Sequence, residues 1–481
     1  MIRLIAIRTL LHNIYDHRFT LTLAIVLGLV TATAFLSARQ TSERQRSYDR
    51  LRSVAWRVAN LESVKLVRRP APLSFLYDGG EDELPRYLIV TTDFVDYPIE
   101  EVSVRAVAEP FVRMDWAFVV VYFYGLLALL LTFDFISGQK EGRTLSMVLA
   151  HSISRGELLL GGYVGMMLTL VPALLIGILI YLVIARLHGI WAGSPDQWMR
   201  VLLILMLSAI FISSTAFLGL LASAAFEKSA ASLMAAFLLW VLMTVVVPAA
   251  NRLIVERLVP APSFKELQTR IGSARAEYRS NLATVWSMDV ARIIRDLPQT
   301  PEQRERKLAE YQFEILEKNR RAIARYKSDL RRLRTEHLSH YERRATWIRR
   351  LDLVSPSAAY RQGLEALVGA GRTQLAAFAK AAERYMREYT RFGLQKQREL
   401  EDQADWRGFI IEESGYRVRQ VTWLDYSRVE FDRRALPQFA DPSITLREGI
   451  AAGLASFLAL IFLNLLLFLA ARQAVLRCRA I

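Results

Sequence analysis

The sequence predicts a mainly α, polytopic membrane protein with six transmembrane helices, both termini in the cytoplasm, and a mostly helical extracytoplasmic domain carrying a small mixed α/β lobe. Three observations predict it. The 481 residues are 53% hydrophobic yet 23% charged, too apolar for an ordinary soluble domain and too charged for a chain buried wholly in lipid. Apolar residues gather into runs at 20–37, 116–137, 157–185, 200–225, 230–250 and 449–471, each about the twenty residues that cross a roughly 30 Å hydrocarbon core as helix. The basic residues of the short flanks, Arg3, Arg8, Arg18, Lys140, Arg143, Arg155, Lys228, Arg472, Arg477 and Arg479, all fall on one side of six spans. That side is predicted to be the cytoplasm.

Residues 1–19 place Leu4, Ile7, Leu11 and Ile14 on one helical face. The first span, 20–37, runs past a typical signal-peptide core, and "TATAFLSARQ" is a weak cleavage site, so it is expected to be retained. Residues 38–115 then lie outside. They begin helically, are punctuated by Pro70, Pro72, Gly79, Gly80 and Pro85, and include the β-branched pieces "YLIVTT" and "VSVRAVA", which predicts the mixed lobe. The span 116–137 leads into a cytoplasmic loop, 138–157. Asp134, Glu157 and Arg200 fall at span ends, where water or headgroups would solvate them. Trp116, Trp191 and Trp198 fall at the outer interface, where amphipathic rings gather.

The large outer segment, 251–447, opens on the breakers Pro260 and Pro262. From Pro301, Leu308, Tyr311, Ile315, Ile323, Tyr326, Leu330 and Leu333 keep three- and four-residue spacing. This predicts one helix that would reach about 75 Å if unbroken to Arg350. Pro356 should break it before a second helical stretch at 357–404, and the two are expected to pair as a hairpin, either a docking lever or simply two amphipathic helices covering each other. In the last span Asn464 is a lone polar group, expected to bond to a neighbouring helix. Residues 472–481 form a cytoplasmic tail holding Cys478, the single cysteine, so no intrachain disulfide can staple the exterior.

The search for catalytic motifs is mostly negative. The sequence has no G-x-x-x-x-G-K-[ST], so it cannot cradle nucleotide phosphates in a P-loop of its own, and no G-x-S-x-G, H-E-x-x-H or C-x-x-C. His337 and His340, one helical turn apart with Glu336 and Glu342 nearby, are a weak metal candidate without a third soft ligand in reach. The formal charge of +15 comes from Arg and Lys interleaved with Glu and Asp, a solvated face rather than a nucleic-acid stripe.

The loop after the second span is richer than a chain reversal requires. Leu145, Val148 and Leu149 have helical spacing, and Ser154 with Glu157 forms a capping box for the next helix. Asp134, Lys140, Glu141 and Arg143 crowd its start. The pattern D-x-x-x-G-x-x-E-x-x-T-L, formed by Asp134, Gly138, Glu141, Thr144 and Leu145, followed by S-R-x-x-L-L-L-G from Ser154 and Arg155, resembles the coupling loop of ABC-2 type transporter permeases. In that family the loop presses a short helix into a cleft on a separate ATP-binding subunit. "RRPAPLS", "MDWAF", "LLWVLMTVVVP", "VPAPSFKEL" and "SPSAAY" are similar to the subgroup with a large extracytoplasmic insertion, related to permeases for multicopper-enzyme maturation. The sequence departs from the pattern at Gln139, where an acid is usual, at Arg143, where Gly is usual, and at Gly162, where Lys is usual.

The resemblance implies a permease subunit of the bacterial inner membrane, without catalysis of its own. It would pair with a second permease copy, identical or paralogous, and with two ATP-binding subunits that hold the ATP and Mg. Residues 1–19 would be an interfacial elbow helix. Glu141 and Arg155 are then expected at an aqueous protein interface, and Leu145 on the apolar face of the coupling helix. Cargo would pass between the halves, or the motion would work on the exterior domain and its protein partner. A membrane-anchored scaffold or receptor without an ATPase is the alternative. Copper as cargo would want Met, Cys and His clusters that the sequence lacks.

Overall fold

The computed structural model describes every residue except 16, 60–62, 82–83, 92–94, 97–113, 151–152, 261, 263, 297, 299, 404–432 and 479–481. Strand predictions at "VSVRAVA" therefore lie outside the described residues. So do the side chains of Leu149, Leu308, Ile315 and Ile323.

Among the described residues six helices are long and apolar enough to cross a membrane. After α1 (Ile2–Tyr15) comes α2 (His17–Arg57), whose apolar first half continues as a charged rod. A second span, α3, runs through Trp116–Phe118, a π-helical turn at Val119–Tyr124, and Gly125–Thr132. Two short helices, α4 (Ser137–Glu141) and α5 (Leu145–Ala150), precede α6 (Arg155–Leu187) and α7 (Pro195–Ala225). The fifth candidate span, α8, covers Ser229–Leu258, with a π-helical turn at Leu242–Val246. Beyond it lie α9 (Phe264–Arg295), α10 (Pro301–Asp352), α11 (Pro356–Val368), α12 (Gly371–Gln403) and the last span, α13 (Leu446–Arg477).

Small residues and paired polar groups set the bundle. A Cβ on Gly165 of α6 would lie 2.7 Å from the Ala6 carbonyl oxygen, so α1 packs backbone to backbone on α6 while Leu4, Ile7, Leu11 and Ile14 stay exposed. Tyr181 donates to Thr33 at 2.9 Å, tying α6 to α2. Asn464 bonds as expected: it accepts from Ser213 at 2.7 Å and donates to the Ile210 carbonyl and Ser214, both at 2.6 Å, joining α13 to α7. Inside an apolar bundle such bonds contribute about 0.6 kcal/mol each, so their value is register more than strength.

Two expectations fail where tertiary burial overrides local character. Of the three tryptophans expected at the outer interface Trp198 is exposed, Trp191 is buried, and Trp116 is fully buried rather than an interfacial anchor. Its ring meets Tyr181 edge to face and its Nε1 donates to Ser208 at 3.3 Å. Arg200 is not solvated at a span end but buried. Its guanidinium bonds Asp196 at 2.7 Å, the Leu367 carbonyl at 2.8 Å and the Ile444 carbonyl at 2.5 Å.

The reason for Arg200's burial is α11, the largest departure from expectation. Residues 357–404 do not form one helix paired with α10. The left-handed Gly369 (φ 70°) ends α11, and α10 packs instead on α9, where Tyr278 stacks on Tyr326 at 4.7 Å. α11 is wedged between α7 and α13, with Tyr360, Leu364 and Leu367 in the main core of the bundle. Tyr360 stacks on Phe211 at 5.1 Å and shares a 2.8 Å hydrogen bond with Ser208. Gly449 of α13 faces the Ala366 carbonyl so closely that a Cβ would sit 2.8 Å from its oxygen.

Both ends of the wedge are capped by spans. Pro248 of α8 has no N–H, so a carbonyl one turn earlier loses its helical donor. Ser355 donates to the Met243 carbonyl at 2.6 Å and Ser357 to that of Thr244 at 3.2 Å. The other end receives Arg200 at Leu367, a cation on a helix C-terminus.

Past Gly369, the chain turns through Gly371 (φ 61°) into α12. Three antiparallel strands, β1 (Ser63–Val67), β2 (Tyr87–Thr91) and β3 (Val95–Asp96), lie in that order with Ser63 opposite Thr91. Leu88 and Val90 pack with Phe378, Tyr385 and Tyr389 of α12. Arg68 donates to Gln374 at 2.7 Å and Arg44 of α2 pairs with Asp78 at 2.9 Å, fixing the lobe to α12 and to the rod of α2.

Candidate functional site

The loop joining α3 to α6 lies at the opposite end of the bundle from α11, and its geometry follows from helix ends. Past Thr132 the helical path of α3 loosens and continues into α4, with the Gly138 N–H meeting the Asp134 carbonyl at 2.7 Å. Ser223 near the end of α7 accepts from the backbone N–H of Ile136 at 2.9 Å and of Ser137 at 3.0 Å. Ser232 of α8 donates to the Phe133 carbonyl at 2.6 Å. These serines lie 86 or more residues along the chain from the groups they hold.

The charged residues repeat the theme. Lys140 Nζ donates to the Ala224 carbonyl at 2.5 Å and to that of Phe226 at 3.1 Å, placing a cation on the C-terminus of α7. Glu141 accepts from the Ser229 N–H at 3.0 Å, placing an anion on the N-terminus of α8. Arg155 donates to the Leu476 carbonyl at 2.6 Å, at the C-terminus of α13. Ser154 accepts from Glu157 N–H at 3.2 Å and Glu157 from Ser154 N–H at 3.0 Å, the capping box that starts α6. Lys140, Glu141 and Arg155 each have the sign favoured by the dipole of the helix end they bond. Glu141 and Arg155 therefore find their partners within this chain, and Leu145, 4% exposed, is buried against the chain itself.

Glu141 stays exposed beside its helix end, and Asp134, Gly142, Arg143, Thr144, Ser146, Met147 and Ser154 are exposed with it, whereas Gly138 is half-buried beside Asp134 and Ser229. Thr144 N–H meets the Gln139 carbonyl at 2.9 Å and closes the turn ahead of α5. Arg143 holds φ at 52°, the one non-glycine with positive φ among the described residues. A left-handed L-residue costs about 1–2 kcal/mol against glycine, so an exposed arginine here is kept in spite of its backbone.

Sequence reasoning missed Ser223, Ser229 and Ser232, because a serine in an apolar run carries no sign of what it will bond. It also missed the outward face of Ser146 and Met147, although Leu145 and Val148 already marked the opposite side of α5.

The histidine pair lies elsewhere. His337 is buried on α10 against Tyr341, with ring centroids 4.7 Å apart, while His340 is half-buried. Among the described residues no group of three or more His, Cys, Asp or Glu could hold a metal. Burial, then the neighbouring His340, push the His337 pKa down, against a smaller upward pull from Glu266 on α9. The depressed value means that the unfolded chain takes up a proton first as pH falls below about 6.5. The hairpin of α9 and α10 should therefore lose stability as pH falls from about 6.5 through the lowered His337 value. Hydrogen exchange of α10 amides at pH 7 and pH 5 should show this loss, and His337→Phe should reduce it; an unchanged pH response in the variant would remove His337 as its cause.

The family whose model matches this sequence is described as ABC-2 family transporter protein, and the match runs over residues 4–383. Two curated relatives, each described as a probable ABC transporter permease protein NosY, come from Stutzerimonas stutzeri and Pseudomonas aeruginosa. Each is 50% identical over 52 residues, 11% of this chain and 19% of the relative. The chain thus aligns with about a fifth of the length of the curated relatives it matches.

Proposed function

We propose, for a chain that belongs to the ABC-2 family of transporter proteins, that residues 133–157 are the handle through which a separate ATP-binding subunit moves the spans. The chain is a multi-pass membrane subunit of an ABC transporter. The observation that carries the proposal is the way the loop is hung. One 25-residue segment is bonded at once to the end of α7 by Lys140, the start of α8 by Glu141 and the end of α13 by Arg155, while continuing into α3 and α6. A displacement of the loop therefore acts on five spans together, and Arg143, Thr144, Ser146 and Met147 are exposed on it, where a partner would dock.

The far end of the bundle gives that displacement somewhere to go. Two of the gripped spans, α7 and α13, hold α11 between them, and α11 leads through Gly369 and Gly371 into α12 and the sheet lobe. This arrangement favours mechanical work on the exterior segments as the output. In this reading the working unit is two copies of this chain in the bacterial inner membrane with two ATP-binding subunits, which hold the ATP and Mg. The handle faces the cytoplasm and the lobe the other side, where a further protein partner would be met.

A cross-link tests the handle. With Cys478, the single native cysteine, changed to Ser, a cysteine replacing Met147 should join the co-expressed ATP-binding subunit through a short bis-maleimide. One replacing Leu187, exposed at the opposite end of α6, should not. Equal products at both positions, or none at Met147, would refute the assignment.

A further inference from the structure

We infer that the bundle-proximal end of α10 docks on anionic phospholipid headgroups. The inference rests on α8 being a span and is independent of any ATPase.

Height comes first. Asn251 of α8 donates to Asp352, the last residue of α10, at 3.0 Å, and Arg344 pairs with Glu256 at 2.9 Å, so the two helices run antiparallel with Asp352 at the level of Asn251. Counting from Ser229, the roughly 30 Å hydrocarbon core is used up after about twenty residues, and the next 5–7 Å or so are headgroups. Asn251 and Asp352 thus stand at the core boundary. At about 1.5 Å per residue back along α10, Arg350 lies some 3 Å above that level, inside the headgroup layer, Trp347 about 8 Å, at its outer edge, and Arg343 about 14 Å, beyond the headgroups but within about a Debye length of their charge.

Chemistry comes second. Residues 343, 347 and 350 share one helical face, and all three side chains are exposed. Between residues 325 and 352 nine Arg and Lys stand against four Asp and Glu. Arg343 has no acidic partner among the described residues, and Arg350 meets only the Trp347 ring, 5.8 Å from its centroid. A guanidinium is a bidentate ligand for a phosphodiester, and an indole prefers the headgroup level. The bilayer is chosen over an acidic protein because Leu253, Ile254 and Leu258 of α8, 63%, 47% and 74% exposed, stand about 3, 5 and 10 Å above Asn251, across the heights of Arg350 and Trp347. Lipid covers exposed leucines interleaved with an arginine and an indole, whereas an aqueous acidic surface would leave them wet.

The full chain should be reconstituted in nanodiscs of phosphatidylcholine with increasing phosphatidylglycerol, and its unfolding temperature followed. Phosphatidylglycerol should raise that temperature in the wild type. In Arg343→Gln/Arg350→Gln the phosphatidylglycerol fraction giving half the shift should rise at least about fivefold, most of it from Arg350, with stability in pure phosphatidylcholine unchanged. Arg331→Gln removes an exposed charge from the same helix about 30 Å above Asp352 and should behave as wild type. The inference is overturned if the double variant keeps the wild-type lipid response, or if Arg331→Gln weakens it equally. It is also overturned if inorganic phosphate added to phosphatidylcholine discs reproduces the shift, which would mark a site for a free anion.

Discussion

Replacing Arg200 by leucine should unseat α11 from the bundle. The carbonyls of Leu367 and Ile444 lose their donor in a buried setting, at about 1–3 kcal/mol each, for a total near 2–5 kcal/mol. The ion pair contributes little of this, because Asp196 is 54% exposed and solvent screens it; Asp196→Asn should cost under about 1 kcal/mol. Hydrogen exchange over residues 356–368 is the direct readout. It should accelerate strongly in Arg200→Leu and barely in Asp196→Asn. If both behave alike, carbonyl capping is not what holds the wedge.

Arg200 also marks the limit of what the sequence discloses. Six spans, the long helix from Pro301, the capping box at Ser154 and the bond-making role of Asn464 were all legible, because each is local: a run of apolar residues, a stripe, a cap, a lone amide among leucines. The wedge was not. "SPSAAYRQGLEALVGAG" has the small residues, hydroxyls and aromatic ring of a buried helix. Yet at thirteen residues it is too short to be a span, and its partners lie far along the chain, 167 residues away in α7, 112 in α8 and 94 in α13. Partners on other helices also hid Trp116, whose interfacial character is overridden by Ser208 and Tyr181 closing over it together with Tyr124 of its own span.

In the loop, the residue types were legible and their directions were not. Lys140, Glu141 and Arg155 each bond a helix end of this chain, a partner that the residue type does not announce.

Those directions give the second large effect. Lys140→Gln with Arg155→Gln should leave the outward face of the loop intact while loosening its grip on the ends of α7 and α13. The stability cost should be modest, about 1–2 kcal/mol, because both cations sit on partly solvated helix termini. The ATP-binding subunit should still co-purify, but ATP should no longer change exchange in α11 and α12. A double variant that transmits as wild type would show that the grip on α7 and α13 is not the path.

The handle itself is tested most directly by measuring, in one membrane preparation, how much ATP-binding subunit co-purifies with the chain and how far the chain stimulates its ATP hydrolysis. Arg143→Glu with Met147→Asp changes only exposed side chains, so insertion and stability should be preserved. Both readouts should fall by about tenfold or more, the equivalent of roughly 1.4 kcal/mol of docking energy. Wild-type co-purification together with wild-type stimulation in that variant would contradict the account, since the loop would then be a turn between two spans and nothing more.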